Sequence, residues 1–164
     1  MPLLATEKFI QLVKHPIKFP LFLFTKLPSA FFCGVRVKAI SQEQAVVTVP
    51  YKWLSKNPFK STYFACLAMA AELSTGLLSM MYIHQRKPAV SMLVTGLQAN
   101  YFKKAIGLTT FTCADGLAVA ALIDEAIKSG EGKSIVTKSV GKDEAGNLIA
   151  EFNITWSFKA KTSV

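Results

Sequence analysis

Apolar and polar positions recur with two different periods along this chain, and the changes of period divide it into elements. Residues 3–14 place Leu3, Phe9, Ile10 and Val13 on one side and Glu7, Lys8, Gln11 and Lys14 on the other, which predicts a short amphipathic helix. Pro16, Pro20 and Pro28 punctuate the next stretch, with a second short helical turn expected over residues 19–27. Residues 34–40 (Gly-Val-Arg-Val-Lys-Ala-Ile) and 45–50 (Ala-Val-Val-Thr-Val-Pro) read as two strands joined by a turn at Ser41-Gln-Glu-Gln44. A polar connection spans residues 51–60.

Residues 61–83 then form a long apolar run with one charge in its length, Glu72. Its length suits a transmembrane helix. A carboxylate near the bilayer centre is costly, however, and the remainder of the chain reads as ordinary soluble structure. The run is therefore expected to be the buried helix of a globular domain. After Lys87-Pro88 the strand period returns. A long strand is expected over residues 89–105 with a bulge or bend at Gly96, and another over 107–114. A second helix should begin at Asp115 or Gly116 and run to Lys128, with Asp115 as N-cap and Gly130 beyond its end. Residues 133–142 and 147–161 read as a hairpin around Asp143-Glu-Ala-Gly146. Short turns between strands predict a mostly antiparallel sheet. The 164 residues suit one α+β domain, with residues 1–30 as an N-terminal helical extension.

Composition sharpens this picture. The chain is 51% apolar and only 18% charged, with mean hydropathy +0.35. Such a surplus calls for a dimer, a lipid-like ligand or a membrane contact. Net charge is +9, which favours anionic partners. The cations are spread along the chain rather than clustered with aromatics, so nucleic acid is not expected. Residues 1–30 carry four Lys and one Glu, a balance of +3. That segment suits either a helix capping the domain's own core, the favoured reading, or a membrane-surface contact. Its apolar runs are broken by Lys8, Lys14, Lys18 and Lys26 without a cleavage pattern, so a cytoplasmic protein is expected. Cys33, Cys66 and Cys113 sit in apolar runs and read as small buried hydrophobes. No metal spacing occurs. His15 and His84 have no evident partner, and the Asn153-Ile-Thr155 sequon falls in a predicted strand.

On a helical period Glu72 shares a face with Ala65, Ala68, Thr75, Gly76 and Ser79, all small, opposite Cys66, Met69, Leu73, Leu77 and Met80. Three roles are open for it: a hydrogen-bonded structural carboxylate, a base or nucleophile with a raised pKa, or a partly solvated residue at a subunit interface.

Three segments together resemble the hotdog-fold acyl-CoA thioesterases, and most closely their uncharacterised thioesterase-like relatives. Residues 34–40 and 45–49 resemble that family's first hairpin. Asn57, Tyr63-Phe-Ala65 and Ala70-Ala-Glu72 stand where it has an Asn, a His-Gly-Gly and a Leu-Ala-(Asp or Glu). Asn100-Tyr-Phe-Lys-Lys-Ala105, with Gly107 soon after, resembles its Tyr-Leu-Arg-Pro-Ala strand motif. The departures are Tyr63 for His, Phe64 and Ala65 for Gly, and Lys104 for Pro.

The resemblance implies a hotdog fold, a long central helix wrapped by the sheet. It implies hydrolysis of an acyl thioester, on coenzyme A or an acyl carrier protein, with Glu72 as base or nucleophile. Asn57, Tyr63, Phe64 and Ala65 would complete the catalytic set, the amides near Phe64 and Ala65 forming the oxyanion hole. Lys103 and Lys104 would hold the cofactor's phosphates. No separate cofactor is implied, since coenzyme A belongs to the substrate. A homodimer or dimer of dimers is implied, with the active site at the interface. The alternative is a non-catalytic hotdog module that binds an acyl chain or serves as a dimeric scaffold.

Overall fold

A computed structural model describes residues 2–161. The central helix α4 (Phe64–Ile83) is 20 residues long and apolar on every side, and the other elements are arranged to cover it. Leu77, Leu78 and Met81 are completely or almost completely buried. Full burial of such a side chain contributes on the order of 1.5–3 kcal/mol. The helix is long and apolar enough to cross a bilayer, but 67% of its most apolar stretch is buried inside the fold.

Six strands wrap it: β1 (Arg36–Ile40), β2 (Ala45–Val49), β3 (Val90–Tyr101), β4 (Thr109–Cys113), β5 (Lys133–Lys142) and β6 (Leu148–Ala160). Their order in the sheet is β1-β2-β4-β5-β6-β3, and every pairing is antiparallel. The inward positions of β2, β4 and β6, among them Val47, Phe111, Phe152 and Ile154, are fully buried. This is the wrapped-helix arrangement expected from the sequence. The bulge expected at Gly96 is present, with the β3–β6 register shifting between Val94 and Gly96.

The remaining helices close the flanks. α1 (Pro2–Lys14) and α2 (Lys18–Lys26) bury Phe9, Val13, Phe19 and Leu23 against the core, so the N-terminal segment does cap the domain. Leu3, placed on the apolar side of α1 from the sequence, lies outside the residues whose side chains are described. A further turn, α3 (Pro28–Phe32), extends this helical segment beyond residue 30. α5 (Gly116–Ser129) ends at Gly130, whose φ of +71° supplies the left-handed C-cap expected there.

Asp115 stands at the N-cap position of α5 but makes no side-chain cap there. Its carboxylate instead accepts a hydrogen bond from Lys138 N at 2.7 Å, tying the start of the helix to β5. The helix end is also pressed onto the β1–β2 turn. Gly116 N donates to Glu43 O at 2.9 Å, and a Cβ at Gly116 would lie 2.1 Å from Gln42 O. Because the obstacle is backbone, Gly116→Ala should destabilise the protein by about 2 kcal/mol or more in urea unfolding. A loss below about 0.5 kcal/mol would show that this contact is soft.

Candidate functional site

The site is built on the first half of α4, and the loop before it fixes where the helix begins. Asn57 organises that loop. Its Oδ1 accepts from Phe59 N at 3.0 Å, Ser61 N at 3.3 Å and Ser61 Oγ at 3.3 Å, while Nδ2 donates to Thr62 O at 3.5 Å. These bonds hold residues 61–62 out of the helix, so α4 starts three residues later than the apolar run suggests. Thr62 N donates to Ala105 O and Tyr63 N to Ser55 O, each at 2.7 Å, pinning the helix start between two loops.

The first-turn amides of Phe64 and Ala65 have no acceptor among the described residues, whereas Cys66 N is bonded to Tyr63 O at 2.9 Å. Free amides at the start of a 20-residue helix, with the helix dipole behind them, suit developing negative charge. Beside Phe64 opens a groove of about 730 Å³, whose lining does not include Ala65. Asn57, Tyr63, Phe64, Lys103 and Lys104 all line it, so the structure brings together five of the residues singled out in the sequence. Tyr63 and Phe64 pack ring to ring, edge-on, with centroids 4.9 Å apart. Lys103 reaches Asp143 at 3.4 Å, and Lys104 Nζ donates to Phe59 O at 3.3 Å. Lys56 and Thr62 also line the groove. The Thr62 hydroxyl is buried without a hydrogen-bond partner among the described residues. Neither residue stands out in the sequence, since a lone lysine or threonine in a loop carries no periodic signal.

Glu72 lies elsewhere. It lines a separate cavity of about 230 Å³, walled by Lys26–Ala30 together with Met69 and Leu73 of α4. Gly76 makes room for the carboxylate: a Cβ there would sit 3.3 Å from Glu72 Oε1 and 3.4 Å from the Trp156 ring. The neighbouring polar groups are spoken for. Trp156 Nε1 donates to Thr75 Oγ1 at 2.9 Å, Thr75 Oγ1 donates to the Glu72 carbonyl at 3.0 Å, and Ser74 and Ser139 share a 2.8 Å bond. The Glu72 side chain has no hydrogen bond or ion pair among the described residues, and burial pushes its pKa up from the ordinary 4.5.

The cysteines behave as hydrophobes. Burial pushes the Cys66 and Cys113 thiols up to about 12, and Cys66 donates to Cys33 rather than to a histidine. His15 caps α2 by accepting from Ile17 N and Lys18 N at 3.2 Å, and the His84 ring lies 5.4 Å from that of Phe9. Among the described residues no cluster of His, Cys, Asp or Glu could hold a metal ion.

A family described as a domain of unknown function, DUF4442, matches residues 19–158. The chain belongs to the DUF4442 family. Several solved structures resemble this DUF4442 chain. A protein of unknown function from Pseudomonas aeruginosa, described as a probable thioesterase, is 18% identical with a TM-score of 0.75, covering 90% of this chain and 97% of that one. A thioesterase from Haemophilus influenzae is 14% identical with a TM-score of 0.63, covering 87% and 89%. A mutant thioesterase from Pseudomonas aeruginosa is 15% identical with a TM-score of 0.65, covering 90% and 96%. At such identities the likeness shows the fold, which is the hotdog fold. No curated protein matches the chain.

The raised pKa of Glu72 has a consequence for stability. Below pH 4.5 the carboxyl is neutral in both folded and unfolded chains. As pH rises from there to the raised folded value, the unfolded chain ionises first and stability is lost. Gln has no such transition. The melting temperature of Glu72→Gln relative to wild type should therefore rise from pH 4.5 to neutrality, and a gap that stays constant or narrows would contradict the assignment.

Proposed function

We propose that this protein hydrolyses an acyl thioester, on coenzyme A or an acyl carrier protein, in a site completed by a second copy of the chain. The observation that carries the reading is the pairing of free amides at the start of α4 with an unpartnered, half-buried carboxylate two turns further on. In the reaction Glu72 takes a proton from water as the oxygen attacks the thioester carbonyl. The amides of Phe64 and Ala65 receive the oxyanion. The carbon–sulfur bond then breaks, and the thiolate leaves and takes up a proton. Lys56, Lys103 and Lys104, at the rim of the groove, suit the phosphates of the leaving group. The solved structures described above as thioesterases support the same chemistry.

One chain does not bring these halves together. Phe64 and Glu72 are eight residues apart, about 12 Å along a helix axis, and they line different cavities. A base must lie within hydrogen-bond reach of the atoms it serves. A dimer in which α4 of one protomer runs beside α4 of its partner would set the helix start of one against Glu72 of the other. The open edge of the sheet supports such a partner. Among the described residues β3 pairs with β6 alone, and along it Leu93 and Leu97 are 65% and 53% exposed. A long apolar edge left unpaired is a template for association. An obligate interface of this kind buries roughly 2,000 Å² or more.

The second reading is a non-catalytic, acyl-binding dimer. It is favoured by Tyr63 and Phe64, whose bulk stands at the rim where the resembling family has His and Gly. A panel of acyl-CoA and acyl-carrier substrates, with the released thiol detected, separates the two. For the enzyme, Glu72→Gln should fold normally and lose about two orders of magnitude in turnover. Unchanged turnover in a folded Glu72→Gln protein removes the catalytic assignment, and no turnover by wild type across the panel supports the binding module.

A further inference from the structure

Capping the core explains only one face of α2. Phe19 and Leu23 point inward and are buried, but Ile17, Leu21 and Phe24, at the spacing of the opposite helix face, are 70%, 57% and 46% exposed. The patch does not stop at the helix end. The Phe24 ring meets those of Phe31 and Phe32 at centroid distances of 5.3 and 6.0 Å, and Phe32 is itself exposed. A short helix with apolar side chains on both faces has one face to spend on its own domain and another left over.

Along the chain that builds this face the charges have one sign, and the nearest acid from another element is Glu72, recessed in the cavity behind Lys26–Ala30. No Asp or Glu occurs between Glu7 and Glu43, whereas Lys8, Lys14, Lys18, Lys26, Arg36 and Lys38 all fall in that span. Lys14 and Lys18 flank the start of α2 and Lys26 ends it, all exposed. The Arg36 guanidinium lies over the Phe31 ring at 4.5 Å. We propose that the α2–α3 face docks on an anionic lipid bilayer, with Ile17, Leu21, Phe24 and Phe32 entering the interfacial layer and the surrounding cations meeting lipid headgroups. The charge pattern decides between occupants. A second copy of the same face would bring two sets of exposed cations together with no exposed acid from that segment between them, which disfavours self-association. Nucleic acid would satisfy the cations and leave the apolar centre bare.

The docking stands on the exposed face alone. One consequence rests on the thioesterase reading: Lys26–Ala30, at the edge of the patch, also wall the Glu72 cavity, so a docked protein holds that cavity beside the lipid.

The test is co-flotation of the full chain with vesicles of phosphatidylcholine alone, and with vesicles of equal parts phosphatidylglycerol and phosphatidylcholine. Wild type should float with the anionic vesicles, weakly with the neutral ones, and be released by salt. Leu21→Glu/Phe24→Glu alters exposed positions only and should retain the wild-type melting temperature while partitioning at least tenfold less. Lys14→Gln/Lys18→Gln keeps the apolar stripe and should weaken binding to the anionic vesicles only. Glu72→Gln should float like wild type whether or not it hydrolyses thioesters, so docking and catalysis fail separately. Wild type that stays with the buffer, or a Leu21→Glu/Phe24→Glu protein that floats as well as wild type, overturns the proposal. So does a drop in that variant's molar mass by light scattering with vesicle binding unchanged, which would make the face a subunit contact.

Discussion

The whole fold depends on burying a helix that has almost nothing to offer water. α4 carries a single charge, and its core-facing hydroxyls are acceptable in the interior only because each is bonded: Ser74 to Ser139, Thr75 to Trp156, Ser79 to the Thr75 carbonyl. A buried hydroxyl left unpaired costs about 1–3 kcal/mol. The first two of these bonds tie the helix to particular positions on β5 and β6 rather than to an undifferentiated apolar surface. They also fix the rotation of α4 about its axis. With Thr75 turned to the Trp156 indole, Glu72 must project beside Gly76, into the cavity under the α2–α3 turn.

Much of this was legible because it depends on local periodicity. The long apolar run, the strands with their turn residues and the bulge at Gly96 announce themselves by spacing. What was not legible depends on contacts distant in sequence or on a competing hydrogen bond. Pro28-Ser-Ala-Phe-Phe32 is too short and too uniformly apolar to show a helical period, yet it folds as α3. The strand expected to reach Ala105 stops at Tyr101, because Phe102 N turns to donate to Ile149 O at 2.9 Å. Asp115 has the composition of a cap, but the Lys138 amide takes its carboxylate.

The candidate site divides along the same line. Glu72 stands out as the one charge in an apolar run, and Lys103 and Lys104 as paired cations at a strand end. That Lys26–Ala30 would cover Glu72 joins residues more than 40 positions apart, and no spacing encodes it. Asn57 enters the catalytic set only by resemblance. Its side chain is committed to the loop that sets the start of α4, so what it places is the first turn of that helix.

The central claim is that the helix start of one protomer works with Glu72 of another, and subunit complementation tests it most directly. Phe64→Pro deletes one amide at the first helical position, where proline is tolerated, and Tyr63 already has the extended backbone that a following proline requires. Dimers of Glu72→Gln alone, or of Phe64→Pro alone, should be nearly inactive. A mixed dimer holds one intact site, so an equal mixture after subunit exchange should recover roughly a quarter of wild-type turnover. A mixture no more active than the two variants assayed separately, with exchange confirmed, would contradict the shared site.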